Sequence, residues 1–160
     1  MLTNSLEATD VLPVHAAYGK YRAPLLASGV EIHELRRNPG TEAERKALGL
    51  IGSSGASLHA KVFAIDRTAV FVGSFNFDPR SVWLNCEMGF WIESPSLAAA
   101  ISDALDRGAA STAWQVGLAP DGTLTWTGQD GTPTGEEPGT GAVKRAMLAL
   151  LAWLPVEWMM

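Results

Sequence analysis

Between Ser57 and Phe77 the chain reads SLHAKVFAIDRTAVFVGSFNF, and several side chains in this stretch could share one chemistry. His59 and Lys61 are two apart, Asp66 follows, and Ser74 and Asn76 are again two apart. Residues two apart on a strand share a face, so each pair points one way, while Asp66 starts on the side opposite His59 and Lys61. Asn85 and Glu87 form one more pair with this spacing. The inventory is a nucleophile or acid, a cation, neutral hydrogen-bonding groups and a carboxylate, and it suits a phosphodiester. Lysine and asparagine would hold the non-bridging oxygens where negative charge builds up. Histidine would attack phosphorus or protonate the leaving oxygen. Glu87 could hold the imidazole in one tautomer.

These groups need strands to position them. KVFAID and VFVGSFN are short, β-branched and aromatic, and a turn at Asp66 to Ala69 separates them, which predicts an antiparallel hairpin. EMGFWIES reads as a third strand, and Gly73 leaves room for something to approach the backbone. Upstream, LPVHAAYGKYRAPLLASG has helical apolar spacing, with Asp10 as its start, Gly29 as its stop and a kink expected at Pro24. Val30 to Leu35 alternates like a half-buried strand. Residues 38–57 are a long polar connection. After the third strand, Ser94 and Pro95 read as an N-cap and first helical position ahead of an alanine-rich helix. Two strand-like runs flank Pro120, Asp121 and Gly122, and a glycine- and proline-rich linker follows them. The rhythm is α/β: a mixed β-sheet with flanking helices.

Composition narrows the partners. In 160 residues, 12 basic and 17 acidic side chains give a net charge of −5, which repels a phosphate polymer, so no nucleic-acid partner is expected. The single cysteine, Cys86, cannot form an internal disulfide. The opening residues show neither a basic nor an apolar leader segment, so no signal peptide is expected. The apolar run from Ala146 to Val156 falls short of the roughly 20 residues a spanning helix needs.

The register His59-x-Lys61-x4-Asp66-x6-Gly73-Ser74-x-Asn76 resembles the HKD signature of the phospholipase D superfamily. The flanks LTNSLEATDVLPVHAAYGKYR and SFNFDPRSVWLNCEMGF and the ending WLPVEW look like the bacterial cardiolipin synthases, most of all their C branch. That resemblance covers nearly the whole chain. It implies one half of a bilobal enzyme, with residues 1–112 as the HKD half-domain, 113–141 as a β-hairpin and linker, and 142–160 as an apolar helix that could lie on a membrane. The implied activity is phosphatidyl transfer between phospholipids through a phosphatidyl-histidine intermediate, with no cofactor and no metal. Carried over residue by residue, the site positions are His59, Lys61, Asp66, Ser74, Asn76 and Glu87.

The implied partners are phosphatidylglycerol and phosphatidylethanolamine, a membrane surface, and a second HKD half from another chain or a second copy. The implied location is the bacterial cytoplasmic membrane, peripherally. The family's enzymes carry two such motifs and this chain has one, since neither His15 nor His33 has a lysine two residues later. It corresponds to the carboxy-terminal half, and the opening LTNS looks like the end of a strand, so a fragment of a longer protein is expected. Two other readings stand beside this one: a lipid-binding fragment without turnover, and a homodimeric phosphodiesterase or nuclease.

Each residue also has a plainer reading. Asp66 suits turn chemistry about as well as catalysis. Asp78, Pro79 and Arg80 suit a helix cap and a local ion pair. His15 suits a helix face, His33 the exposed side of a strand, and Cys86 a small strand residue. Trp153, Leu154, Trp158 and Met159 suit either a core or, with Lys144 and Arg145, an interfacial helix on anionic lipid.

Overall fold

A computed structural model of the chain describes residues 1–9, 12–37, 58–76, 78–141, 143–144 and 146–147. The expected helix start at Asp10, the connection 38–57 and the apolar tail beyond 147 lie outside the described residues. The chain divides into two units, one of residues 1–58 and 108–154, the other of 59–107 and 155–160.

In the first unit, β1 (Leu2–Asn4), β2 (Ile32–Leu35), β6 (Ala113–Leu118), β7 (Leu124–Thr127) and β8 (Pro133–Thr134) form a five-stranded sheet in the order β1-β2-β6-β7-β8. It is mixed: β1 and β2 run parallel and the other pairs antiparallel. Two helices flank it, α1 (Leu12–Gly19) and α2 (Arg22–Ala27). The fold is thus α/β with a mixed sheet, as the sequence rhythm indicates. Ile32, Val116 and Trp126 are the buried centre, and Tyr18, Leu25 and Leu26 from the helices pack against it.

The single kinked helix expected across Pro24 is two helices. Tyr21 N–H closes α1 by donating to the Tyr18 carbonyl at 2.9 Å, and α2 restarts at Arg22. Pro24 then falls in a first turn, where its missing N–H costs nothing. At the other end Gly29 takes φ +91°. Val30 N–H reaches the Leu25 carbonyl at 3.1 Å and Gly29 N–H the Leu26 carbonyl at 3.0 Å, a Schellman closure that needs a left-handed residue.

Glu34 shares the inward parity of Ile32 and is fully buried. Such a charge persists only if it is paired. It accepts from Arg22 Nε at 2.7 Å, Trp126 Nε1 at 3.0 Å and Tyr18 Oη at 3.1 Å. Arg22, itself 4 % exposed, also donates to Glu137 at 2.5 Å. His15 Nε2 lies 2.7 Å from Glu137 Oε1 and 2.8 Å from Arg22 Nη2. Burial opposes the Arg22 charge, and the two carboxylates outweigh that opposition. Burial, then Glu34, pushes the Tyr18 phenol well above its usual range. Glu137 belongs to the stretch whose composition reads as a linker, and this network ties it to α1 and α2.

In the second unit, β3 (Lys61–Ile65), β4 (Ala69–Gly73) and β5 (Gly89–Glu93) form a separate antiparallel sheet in that order. A tight turn joins β3 to β4, and residues 74–88 join β4 to β5. A short helix, α3 (Pro79–Trp83), precedes β5, and α4 (Pro95–Thr112) follows it. The Ser94 cap expected for α4 is present, with Leu97 N–H donating to Ser94 Oγ at 3.3 Å.

Removing one member of a buried pair leaves the other unpaired, so Arg22→Met should lower stability by about 3–5 kcal/mol. Urea unfolding of the chain would read this, and a loss under about 1 kcal/mol would contradict the pairing. Burial pushes the Glu137 carboxyl up, but the bonds from His15 and Arg22 outweigh this and hold it below its usual range. With the folded value depressed, its contribution is complete above the unfolded value near about 4.3 and fades as pH falls through the folded value. Glu137→Gln should therefore flatten the acid limb of a stability-against-pH curve.

Candidate active site

The hairpin turn sets where Asp66 goes. Thr68 N–H donates to the Ile65 carbonyl at 2.9 Å, and both central residues are left-handed, Asp66 at φ 49° and Arg67 at φ 54°. Primed turns require this, and aspartate tolerates it better than most residues. Arg67 then pairs with Asp103 of α4, an exposed contact of small energetic weight. At about 3.3 Å per residue, Asp66 lies roughly 16 Å along the strand from Lys61. The structure does not bring Asp66 to His59.

The other end of the hairpin is where the remaining groups collect. Lys61 is registered against Gly73, and Gly73 against Gly89. The room expected beside Gly73 is filled by the protein itself. A Cβ there would meet the Met88 carbonyl at 2.6 Å and the Phe71 ring at 2.8 Å. A Cβ on Gly89 would strike the same ring, which stacks on Phe63 with centroids 4.7 Å apart.

Two hydrogen-bonded groups result. Lys61 Nζ lies 3.0 Å from His59 Nε2 and donates to the His59 carbonyl at 3.0 Å. With lysine as donor, Nε2 is the acceptor and the ring proton sits on Nδ1. In the second group, Ser74 Oγ donates to Glu87 Oε2 at 2.5 Å and accepts from Met88 N–H at 3.0 Å. Asn85 Nδ2 donates to Glu87 Oε1 at 3.2 Å, and Arg80 Nε donates to Asn85 Oδ1 at 3.1 Å. The hydrogen bond from Ser74, then one from Ser81, holds the Glu87 carboxyl below its usual range. The Lys61 charge adds to this and links the two groups electrostatically.

With Lys61 opposite Gly73, a regular pleat would turn Ser74 to the other face. The strand ends at Gly73, and the serine hydroxyl bonds Glu87 and the Met88 backbone instead. Glu87 is bonded to Ser74 and Asn85, and no bond from it to the His59 imidazole is present among the described residues. Asn76 is exposed just past the strand end.

Sequence reasoning passed over Ser81, which is 4 % exposed and whose N–H donates to Asp78 Oδ1 at 2.7 Å, capping α3. The Asp-x-x-Ser spacing was its signal. It also passed over the side chain of Asn4, which accepts from Leu58 N–H at 2.7 Å and donates to the Leu58 carbonyl at 2.9 Å. That clamp holds the residue just before His59 in sequence. Among the described residues, no group of three or more His, Cys, Asp or Glu side chains is placed to hold a metal ion.

The geometry thus brings a lysine-backed histidine and a hydroxyl-bonded carboxylate to one end of a three-stranded sheet. The family model described as cardiolipin synthase, PLD-like domain, matches residues 1–108, and the chain belongs to that family. It is similar to Cardiolipin synthase C of Escherichia coli strain K12, 45% identical over 163 aligned positions that cover 100% of this chain and 34% of that protein. An uncharacterized protein of Helicobacter pylori is 37% identical over 98 residues, 61% of this chain and 19% of its own length. The chain thus spans about a third or less of the curated relatives it matches. No solved structure matches it.

Gly73→Ala should cost about 1–3 kcal/mol, because its methyl group meets the Met88 carbonyl, backbone that cannot swing away, as well as the Phe71 ring. Thermal unfolding would show it, and an unchanged midpoint would contradict the packing. Ser74→Ala removes the first donor to Glu87, so the carboxyl should titrate closer to its ordinary value, and carbon-13 NMR of that carboxyl reads the shift directly.

Proposed function

We propose that this chain is one catalytic half of a phosphatidyltransferase that joins phospholipids to make cardiolipin, acting with a second HKD half supplied by another chain or a second copy. The observation that carries this reading is the 3.0 Å contact of Lys61 Nζ with His59 Nε2, electrostatically linked to Glu87, on a chain of the cardiolipin synthase family. Residues 1–112 are the half-domain in this reading, and 113–141 and 142–160 extend it.

A phosphodiester arriving at the site offers Lys61 a better acceptor than the imidazole. The ammonium then neutralises the non-bridging oxygens, which frees the Nε2 lone pair. One of the two histidines forms a nitrogen–phosphorus bond as the phosphorus–oxygen bond to glycerol breaks, and the other gives the departing oxygen its proton. The acceptor lipid's hydroxyl then attacks phosphorus, returns a proton to the second histidine and releases the first. His59 can fill either place. Asn76 joins Lys61 on the phosphate, Glu87 and Ser74 preserve the field around Lys61, and Asp66 serves through the turn that returns β4. Phosphatidylglycerol, and phosphatidylethanolamine as a second lipid, are the substrates. The protein works peripherally on the bacterial cytoplasmic membrane. Among the described residues no helix is long and apolar enough to cross a membrane.

The test is phosphatidyl transfer from phosphatidylglycerol in mixed micelles by the purified chain, with its solution mass measured in the same preparation. Transfer should appear only where two halves meet. His59→Asn should remove it by at least about 100-fold, and Glu87→Gln should weaken it without unfolding the chain. Undiminished transfer by His59→Asn would overturn the proposal. Lipid binding without transfer, even with a second half added, would favour a binding fragment.

A further inference from the structure

Beside Glu87 lies an apolar surface that the packing of this unit does not use. Val82, Trp83 and Leu84 are 51, 80 and 73 % exposed, and Met88 and Phe90 are 73 and 65 % exposed. One exposed leucine is ordinary, whereas five large apolar side chains this exposed within residues 82–90 are not. The segment is held in place. Asp78 caps its helix, and Leu84 and Asn85 N–H both donate to the Arg80 carbonyl, at 2.8 and 2.9 Å. Ser74 and Met88 exchange backbone and hydroxyl bonds at 2.9 and 3.0 Å. At its rim the exposed Arg80 guanidinium is anchored through Nε alone, and among the described residues it has no carboxylate partner.

We propose that this crest, Arg80 with Val82, Trp83, Leu84, Met88 and Phe90, is the surface on which the unit docks to an anionic phospholipid bilayer. The apolar side chains enter the interfacial zone and the guanidinium meets a lipid phosphate. An indole four-fifths exposed suits a deformable apolar phase. Tryptophan and a basic residue at the rim are the pairing that water–lipid interfaces favour. The unpartnered cation supplies complementarity to an anionic headgroup. The crest is also continuous with the site, since Asn85 bonds both Arg80 and Glu87 and Met88 bonds Ser74. Docking there sets Glu87 and Ser74 at headgroup depth. The inference rests on the lipid-substrate reading and adds the face by which substrate is met.

Cys86, exposed and the sole cysteine, lies within the crest and provides the probe. The full chain, labelled there with an environment-sensitive fluorophore, is titrated with phosphatidylglycerol/phosphatidylcholine vesicles and with phosphatidylcholine vesicles alone. A saturable blue shift on the anionic vesicles, quenched by nitroxide-bearing lipid, is expected. Trp83→Ser with Leu84→Ser should raise the half-saturating lipid concentration about tenfold or more, the scale set by burying large apolar side chains. Arg80→Gln should weaken binding to the anionic vesicles only. An unresponsive probe would overturn the proposal, as would a double variant that docks like the parent. A shift that follows protein concentration without lipid would also overturn it and assign the crest to a second copy. Phosphatidyl transfer on the same vesicles separates the two claims. Docking without transfer, with a second half present, sinks the enzymatic reading alone, and transfer with no probe response sinks the docking alone.

Discussion

At Gly73 and Gly89 the backbones of β4 and β5 lie against the ring of Phe71, so closely that an added methyl group at Gly73 would come within 2.6 Å of the Met88 carbonyl. The part of the candidate site that crosses strands follows from that approach. It brings Ser74 within bonding distance of Met88 and Glu87, and it sets Lys61 across from Gly73 at the same end of the sheet. The stacked Phe63 and Phe71 rings occupy the face that the glycines leave open. A lysine placed here meets both an imidazole and the field of a carboxylate. The carboxylate in turn is held ionised by hydroxyl donors, Ser74 foremost.

The first unit solves a different problem. Its sheet carries a fully buried carboxylate, Glu34, and one arginine satisfies it while also reaching Glu137. Two helices, two strands and a glycine- and proline-rich segment are thereby tied through a single guanidinium, which also lies over the rings of Tyr18 and Trp126. Burying ions is costly, and here they join elements that lie far apart in sequence. The Asn4 clamp on Leu58 shows the same unit fixing the residue that leads into His59.

The strands of the site, their turn and the α4 cap were legible because each carries a local signal: alternation, a turn with aspartate, and serine before proline. The pairing of His59 with Lys61 was legible for the same reason, since the closeness of two residues two apart where an extended run begins is a local fact. What crosses strands was less so. Whether Glu87 meets the imidazole or Ser74 depends on where β4 stops, and that is decided by the contacts of Gly73. The break in the first helix was half legible, because proline announces a problem while the position of the restart depends on tertiary contacts of Arg22. The burial of Glu34 had no local signal. Its partners, Arg22 and Trp126, are distant in sequence and only the fold brings them together.

The claim at the centre of this account is that His59 and Lys61 together form a phosphodiester site. It is tested most directly by nitrogen-15 NMR of the His59 ring while a soluble phosphodiester, glycerophosphoglycerol, is titrated into the chain. The account predicts saturable shifts of the imidazole nitrogens as Lys61 exchanges the ring for phosphate oxygens, and their loss in Lys61→Ala. A ring signal that ignores the phosphodiester at every concentration, or that responds equally without Lys61, would contradict it.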